Sequence, residues 1–415
     1  MNTHFAIENV RIFDGETVIA ATTVEVVGDR IRAVGGTPPP GVEVLDGAGA
    51  TLLPGLIDAH VHTSPASLAL ALRFGVTTEL EMQGTHTKHD RAHVTHDDAL
   101  ADVRSAGFGL TPPGGHPSEL FPPDFDPRTA GGGGDRRPRT SPIVHGEVTS
   151  PEEAIALIPK LVASGSDYIK FMIDDGSVEG HPGLPMLDEA TLVAGVREAH
   201  KHGMLTIAHT LTLEATRMAI EAGIDGLAHL FCDRPHTPEI VELIARSGAF
   251  VVPCVTLDAS MIGITGEDLA DDPRVARRLD AAWDRTLRAS FGHYPQGRID
   301  DVLATVRALH AAGVDLLVGT DVSMPLPFLG GLAHGASVHR ELAHLVAAGL
   351  SPCEALRAAT ALTARRFGLL DRGRIAPGLR ADLVLVDGDP TVTIDDSLNL
   401  RAIWRRGARL ADGFS

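Results

Sequence analysis

Pro54-Gly55-Leu56-Ile57-Asp58-Ala59-His60-Val61-His62 is the stretch on which the reading of this chain turns. It is an apolar run of strand length that ends in two histidines spaced i, i+2, and on extended backbone that spacing points both imidazoles to the same side. Counting its strand as 55–59, seven further short apolar runs follow, at 77–80, 107–111, 168–173, 204–208, 226–228, 250–255 and 316–319. Longer stretches with helical period fill the gaps, at 151–163, 188–202, 213–222 and 238–247, each closing near a Gly or Ser able to serve as a C-cap. Such alternation signals successive βα units around a parallel sheet. Eight units predict an α/β fold of the (β/α)8, TIM-like barrel type over 54–374, in preference to an open sheet.

The flanks have a different texture. Residues 5–53 alternate apolar and polar with Gly punctuation, as in Thr23-Val24-Glu25-Val26, and similar sequence returns in Ala381-Asp382-Leu383-Val384-Leu385-Val386 and Ala402-Ile403-Trp404. A small β-sandwich domain assembled from both termini, 1–53 with 375–415, is therefore expected. Two insertions interrupt the βα rhythm. Residues 112–146, rich in Pro and Gly, form a long loop after the third strand and a candidate lid, with Gly131 to Gly134 as a flexible linker. The stretch from 258 to about 300 is charged and helical in pattern.

Composition narrows the function. With 36 Lys and Arg against 54 Asp and Glu, the formal net charge of −18 argues against a nucleic-acid partner. Cys232, Cys254 and Cys353 stand far apart, which points to neither a disulfide framework nor a thiolate zinc site. No basic-then-apolar leader opens the sequence, and no apolar stretch approaches the ~20 residues needed to cross a bilayer. The expectation is a cytoplasmic homo-oligomer that acts on a small molecule without membrane contact.

In a barrel of this kind catalytic groups sit at the C-terminal ends of strands. Strand one ends in His60 and His62, strand four carries Lys170, strand five ends in His209, strand six in His229 and strand eight in Asp321. A lone His is more often structural than ligating, and this chain has 20, but four His and an Asp at matching ends of four strands point to a divalent metal. An ammonium cannot ligate a cation. Lys170 is either a buried ion-paired lysine or, after losing its proton and adding carbon dioxide, a carbamate able to bridge two metals. Asp321 is open to a second reading as a helix N-cap. His86, His89, His93 and His96 would share one helix face, as a second metal site or as a polar face of the second helix or its leading loop. His116, His181, Arg234, Thr256 and Tyr294 are loop candidates for substrate contact, each also readable as a solvated loop residue.

The strand-one stretch resembles the signature of the amidohydrolase superfamily. The resemblance extends to Ser166-Asp167-Tyr168-Ile169-Lys170, to His209 and His229, to Gly319-Thr320-Asp321 and to the returning β segment Gly378-Leu379-Arg380-Ala381-Asp382-Leu383-Val384. Order and spacing are most similar to the imidazolonepropionase-related, Xaa-Pro dipeptidase-like subgroup with a carboxylated lysine, which also includes ochratoxinase and phenylurea hydrolase. Gly114-Gly115-His116 is similar to its loop motif, whereas Ala228 stands where many relatives place Glu before the His.

The resemblance implies two divalent ions, zinc first, with Mn, Co or Fe as substitutes, held by His60, His62, Lys170 as carbamate, His209, His229 and Asp321. It implies hydrolysis of a C–N amide bond in a peptide, N-acyl or urea-type compound by a metal-activated hydroxide, with Asp321 as general base and then acid. The same centre could open a lactone, ester or organophosphate. Deamination is disfavoured because Thr212 stands where deaminases of the superfamily usually place Glu, three residues after the strand-five His, and a non-catalytic scaffold is disfavoured by the complete ligand set.

Overall fold

The computed structural model describes residues 3–120 and 143–411. Most of the expected lid, including the linker at 131–134, lies outside them. Among the described residues the chain is of mixed α/β content, and no helix is long and apolar enough to cross a membrane.

The N-terminal strands are β1 (His4–Glu8), β2 (Arg11–Phe13), β3 (Val18–Ile19), β4 (Val24–Val27), β5 (Arg30–Val34), β6 (Glu43–Asp46) and β7 (Thr51–Pro54). The middle of the chain supplies β8 (Leu56–Val61), β9 (Val76–Glu81), β10 (Asp102–Ser105), β11 (Ile169–Met172), β12 (Thr206–His209), β13 (Gly226–Ala228) and β14 (Phe250–Val252). Near the end come β15 (Leu383–Val386), β16 (Leu400–Arg405) and β17 (Ala408–Arg409).

One sheet has the order β5-β4-β1-β6 and another β17-β16-β15-β7-β2-β3, so the second mixes the two ends of the chain through antiparallel pairing of Leu383 with Pro54 and Leu385 with Leu52. Their period-2 alternation sends Ile7, Val24 and Val26 from one sheet, and Ile12, Leu52, Leu383 and Trp404 from the other, into one hydrophobic core.

The central strands form two parallel sheets, β8-β9-β10 and β11-β12-β13-β14. Every residue of β8, β9 and β11 to β14 is buried, as expected of parallel strands covered on both faces, and β11 to β14 accordingly read as largely apolar runs, whereas β9 carries the buried Glu79 and Glu81. Backbone hydrogen bonds link these sheets. Leu110 N donates to Lys170 O and Met172 N donates to Leu110 O, both at 2.8 Å. Segment 316–322 lies between the outer strands: Leu317 N donates to Val251 O, Ala59 N to Val318 O and His62 N to Val322 O, each at 2.8 Å.

Three sequence expectations shift. The run at 107–111 is not the ladder strand, which lies earlier at β10, because Gly107 turns left-handed at φ 71° and leaves only isolated bridges at Leu110 and Thr111. Charges on Asp102 and Arg104 concealed β10. The run at 250–255 stops at Val252: Pro253 has no N–H to donate, and a helix begins at Val255 (Val255–Ile262). Finally, the helix near His86, His89, His93 and His96 covers only Ala92–Thr95, so the four imidazoles share no helical face, and His86 Nδ1 instead contacts Glu81 Oε1 at 2.8 Å.

Asp102 is fully buried where β10 meets the C-terminal segment. Its carboxylate accepts from Arg372, from Arg380 Nη1 at 3.1 Å and from Arg104 Nη1 at 3.1 Å. Burial would raise its pKa, but the three guanidiniums hold it far below the usual carboxylate range. Removing one member of such a network strands the buried partners, so Asp102→Ala is expected to cost about 3–5 kcal/mol in urea unfolding. A loss under 1 kcal/mol, typical of an exposed pair, would contradict this role.

Candidate metal centre

His60, His209 and His229 stand at or just past the ends of β8, β12 and β13, His62 follows β8 directly, and Lys170 lies within β11. Asp321 follows segment 316–319, and Cys254 follows β14 and Pro253. His229, Cys254 and Asp321 all adopt left-handed backbone, at φ 72°, 51° and 57°. For non-glycine residues such conformations cost on the order of 1–3 kcal/mol each and gather at functional sites. Here they turn the chain sharply beyond β13, β14 and segment 316–319.

The side chains converge. Asp321 Oδ1 lies 2.9 Å from His60 Nε2 and 3.0 Å from His62 Nε2, and its Oδ2 lies 3.8 Å from His229 Nε2. The His60 and His229 ring centres are 4.6 Å apart, and those of His209 and His229 are 4.7 Å apart. Yet among the described residues His60 Nε2 and Asp321 Oδ1 make no directed hydrogen bond, and Lys170 Nζ and His229 Nδ1 are likewise buried without a partner. An orphaned buried polar atom is costly. Four such atoms in one cluster fit a site that takes a cation.

Electrostatics favour a cation there. Burial, helped by Lys170 nearby, brings the His60 pKa down to about 3, and burial likewise pushes His209 and His229 well below the ordinary imidazole value. Burial would raise Asp321, but the imidazoles of His60 and His229 hold its carboxyl well below the carboxylate range. Burial also lowers Lys170 to about 8, against the opposing pull of Asp321 and Cys254. Neutral imidazoles, an ionised carboxylate and a lysine that sheds its proton readily form a donor set suited to divalent ions such as zinc.

A supporting layer holds the ligating types in place. Asp58, fully buried, accepts from Thr320 Oγ1 at 2.7 Å and from the backbone N–H groups of Thr320 and His60 at 3.1 Å, tying β8 to the segment before Asp321. Glu79 contacts His334 Nδ1 at 2.7 Å and accepts from Thr63 at 2.5 Å, while His334 Nε2 donates to Ser323 O at 3.0 Å. Thr63 and Ser323 lie just beyond His62 and Asp321, so this buried pair clamps both loops. Asp174 Oδ2 lies 3.0 Å from His209 Nε2.

The five loop candidates separate. The His116 ring stacks on His209 at 4.2 Å and contacts Glu119 at 2.6 Å, and with Glu179 these imidazoles form a second buried group beside the first. Burial pulls His116 down, but Glu119 and Glu179 outweigh it and raise its pKa to about 9. His181 is exposed, and Arg234, 63% exposed, pairs with its neighbour Asp233 at 2.6 Å. Tyr294 donates its hydroxyl to Asp233 O at 3.2 Å. Thr256 is buried and donates to Glu341 Oε2 at 2.7 Å, so its hydroxyl is engaged inside the protein.

Sequence reasoning passed over Cys254, whose sulfur is 3.8 Å from His60 Nδ1 and which groups with His60 and His229. It also passed over Asp174 and Glu179. Cys254 and Asp174 carried a usable signal: each stands at or close behind an apolar strand run, as the expected ligands do.

Comparison with known proteins gives a consistent picture. The sequence profile of the Amidohydrolase family matches residues 51–409. An adenine deaminase of Gluconobacter oxydans is 25% identical over 95% of this chain, which spans only 57% of that protein's length. An imidazolonepropionase of Rubrobacter xylanophilus is 27% identical, covering 95% of this chain and 92% of its own. Among solved structures, a Xaa-Pro dipeptidase with methionine bound in its active site superimposes with a TM-score of 0.71 at 21% identity, covering 99% of this chain and 100% of that one.

Proposed function

Because this chain belongs to the Amidohydrolase family, we propose that it is a metal-dependent hydrolase that cleaves a C–N amide bond in a peptide, N-acyl or urea-type small molecule. The observation that carries this reading is the convergence of His60, His62 and His229 on Asp321 beside a buried, unpartnered Lys170. The linked parallel sheets and segment 316–322 are read as a closed (β/α)8 barrel over 54–374, and the two terminal sheets as a β-sandwich domain of 1–53 with 375–415. Such a barrel gathers strand ends at one face, where the site lies.

His60, His62 and Asp321 would hold one divalent ion, His209 and His229 a second, with Lys170 between them as a carbamate. Forming it joins the neutral amine nitrogen to the carbon of CO2 and releases one proton. Zinc suits the donors best, with Mn, Co or Fe as substitutes. When bound, such ions supply Lewis acidity that lowers the pKa of water and polarises a carbonyl.

The chain's own residues do the rest. Asp321, kept ionised at the mouth of the imidazole cluster, accepts a proton from the attacking water and delivers it to the departing nitrogen. Asp58 and the Glu79–His334 pair fix the loops that carry Asp321 and His62. His116, against His209, is placed to orient the substrate.

The adenine deaminase likeness does not move this reading toward deamination. Three residues beyond His209 the side chain is Thr212, whose hydroxyl caps helix Leu213–Glu221 by accepting from Ala215 N, so no carboxylate stands there. The metal-loaded protein assayed against dipeptides, N-acyl amino acids, ureas, lactones, phosphotriesters and aminopurines is expected to turn over members of the first three groups. Turnover confined to lactones, phosphotriesters or aminopurines would overturn the C–N amide assignment.

A further inference from the structure

We infer that Cys254 is a positioning residue for His60: its sulfur accepts the Nδ1–H of that imidazole and so aims the Nε2 lone pair at the Asp321 side of the centre. The inference rests on the metal-centre reading above.

A neutral imidazole carries one N–H, and whichever nitrogen holds it cannot ligate a metal. His60 Nε2 approaches Asp321 Oδ1 to 2.9 Å, the distance of a strong hydrogen bond, yet makes no directed bond to it. The proton therefore belongs on Nδ1, and the group that faces Nδ1 is Cys254 Sγ at 3.8 Å, within reach of a hydrogen bond to sulfur. Ligating histidines characteristically donate their second N–H to a supporting acceptor, which fixes both ring orientation and tautomer. Sulfur fills that place here.

The local fold explains how a cysteine became available. Cys254 is the N-cap of helix Val255–Ile262, a position whose side chain ordinarily accepts from the first turn. Ser150, Asp188, Thr212 and Thr237 do so at the starts of their own helices. Cys254 makes no such bond. The orphan N–H groups of Val255 and Thr256 are taken by the Glu341 carboxylate, at 2.9 and 2.8 Å, from helix Ala336–Ala347. With capping done by Glu341 and the backbone of Cys254 turned to φ 51°, its fully buried side chain is left beside His60 and His229. The unpartnered His229 Nδ1 and Lys170 Nζ in the same cluster mark this region as one that receives a ligand rather than inert core.

The test compares full-length protein with Cys254→Ser, Cys254→Val and Cys254→Ala, each stripped of metal and titrated with Zn(II) or Co(II) against a chromophoric chelator. Loss of the acceptor in the Val and Ala variants is expected to weaken metal binding about 10–100-fold. Ser, which keeps an acceptor, should stay close to the parent, and the metal-free melting temperatures of Ser and Ala should match. The Co(II) spectrum of the parent should lack a thiolate-to-cobalt charge-transfer band. Parent-like affinity in both Val and Ala would overturn the inference and leave the metal centre standing. A charge-transfer band that disappears in Ser would overturn it by making Cys254 a direct ligand. A parent that binds neither metal would bring down the metal-centre reading and this inference together.

Discussion

Asp321→Asn is expected to lower kcat by about 10²- to 10⁴-fold, the range associated with losing a positioned general acid–base group. The substitution keeps the shape of the side chain and an oxygen that can still face His60, His62 and His229. What it removes is the negative charge and the basicity that takes a proton from water. In the structure the part-buried carboxylate is kept ionised, because His60 and His229 outweigh the penalty of leaving water. An amide in the same place cannot accept that proton. Steady-state kinetics on an amide identified by the substrate survey, with bound metal measured in parallel, would check this. Undiminished kcat at full metal content would remove Asp321 from the catalytic role.

Lys170→Met should produce two effects of opposite sign. Metal binding is expected to fall by more than about 100-fold, beyond what loss of a merely supporting residue causes. The metal-free protein, by contrast, should become more stable. Lys170 is 1% exposed and its ammonium has no hydrogen-bond partner among the described residues, whereas Met fills similar space without a charge to desolvate.

The sign can be followed with pH. Burial lowers the folded-state pKa of Lys170 to about 8 from an unfolded value of 10.5, so between those values the unfolded chain binds the additional proton. Folding stability from this group therefore rises with pH across that window, and the penalty is fully present below about pH 8. The stabilising effect of Met on the metal-free protein should be largest below pH 8 and shrink toward pH 10.5. Urea denaturation of both proteins after chelation, at several pH values, would show it. A Met variant that binds metal normally would contradict the bridging role, and one destabilised at every pH would contradict the picture of an orphaned ammonium.

Much of this arrangement was visible in the chain before any coordinates. Buried parallel strands are largely apolar on both faces, so β8 and β11 to β13 announce themselves, and the polar residue that ends each run is exposed to inspection. That is why His60, His62, Lys170, His209, His229 and Asp321 could be singled out although about 260 residues separate the first from the last. β10 escaped because Asp102 and Arg104 lie in the strand itself, and Arg372 and Arg380, which also neutralise Asp102, are remote in sequence. A periodicity argument sees charges and reads a surface.

Cys254 escaped for a related reason. A cysteine without a second one nearby carries no metal-spacing signal, and its value depends on a left-handed turn after Pro253 and on Glu341, which caps the helix from 86 residues away. Asp58 and the Glu79–His334 pair look like ordinary buried polar residues until the loops that they clamp are seen together. The loop candidates for substrate contact were the least legible, since loops are positioned by tertiary packing that leaves no periodic mark. Thr256 shows this plainly: in the sequence it follows the apolar run at 250–255, yet it lies in the first turn of helix Val255–Ile262 and is occupied by Glu341.

The most direct measurement of the central claim is anomalous X-ray diffraction from crystals of the protein purified with zinc. The account predicts two anomalous peaks, one among His60, His62 and Asp321 and one beside His209 and His229, with electron density for a carbamate extending from Lys170 between them. No anomalous peak in this cluster, or an unmodified Lys170 remote from any metal, would contradict it.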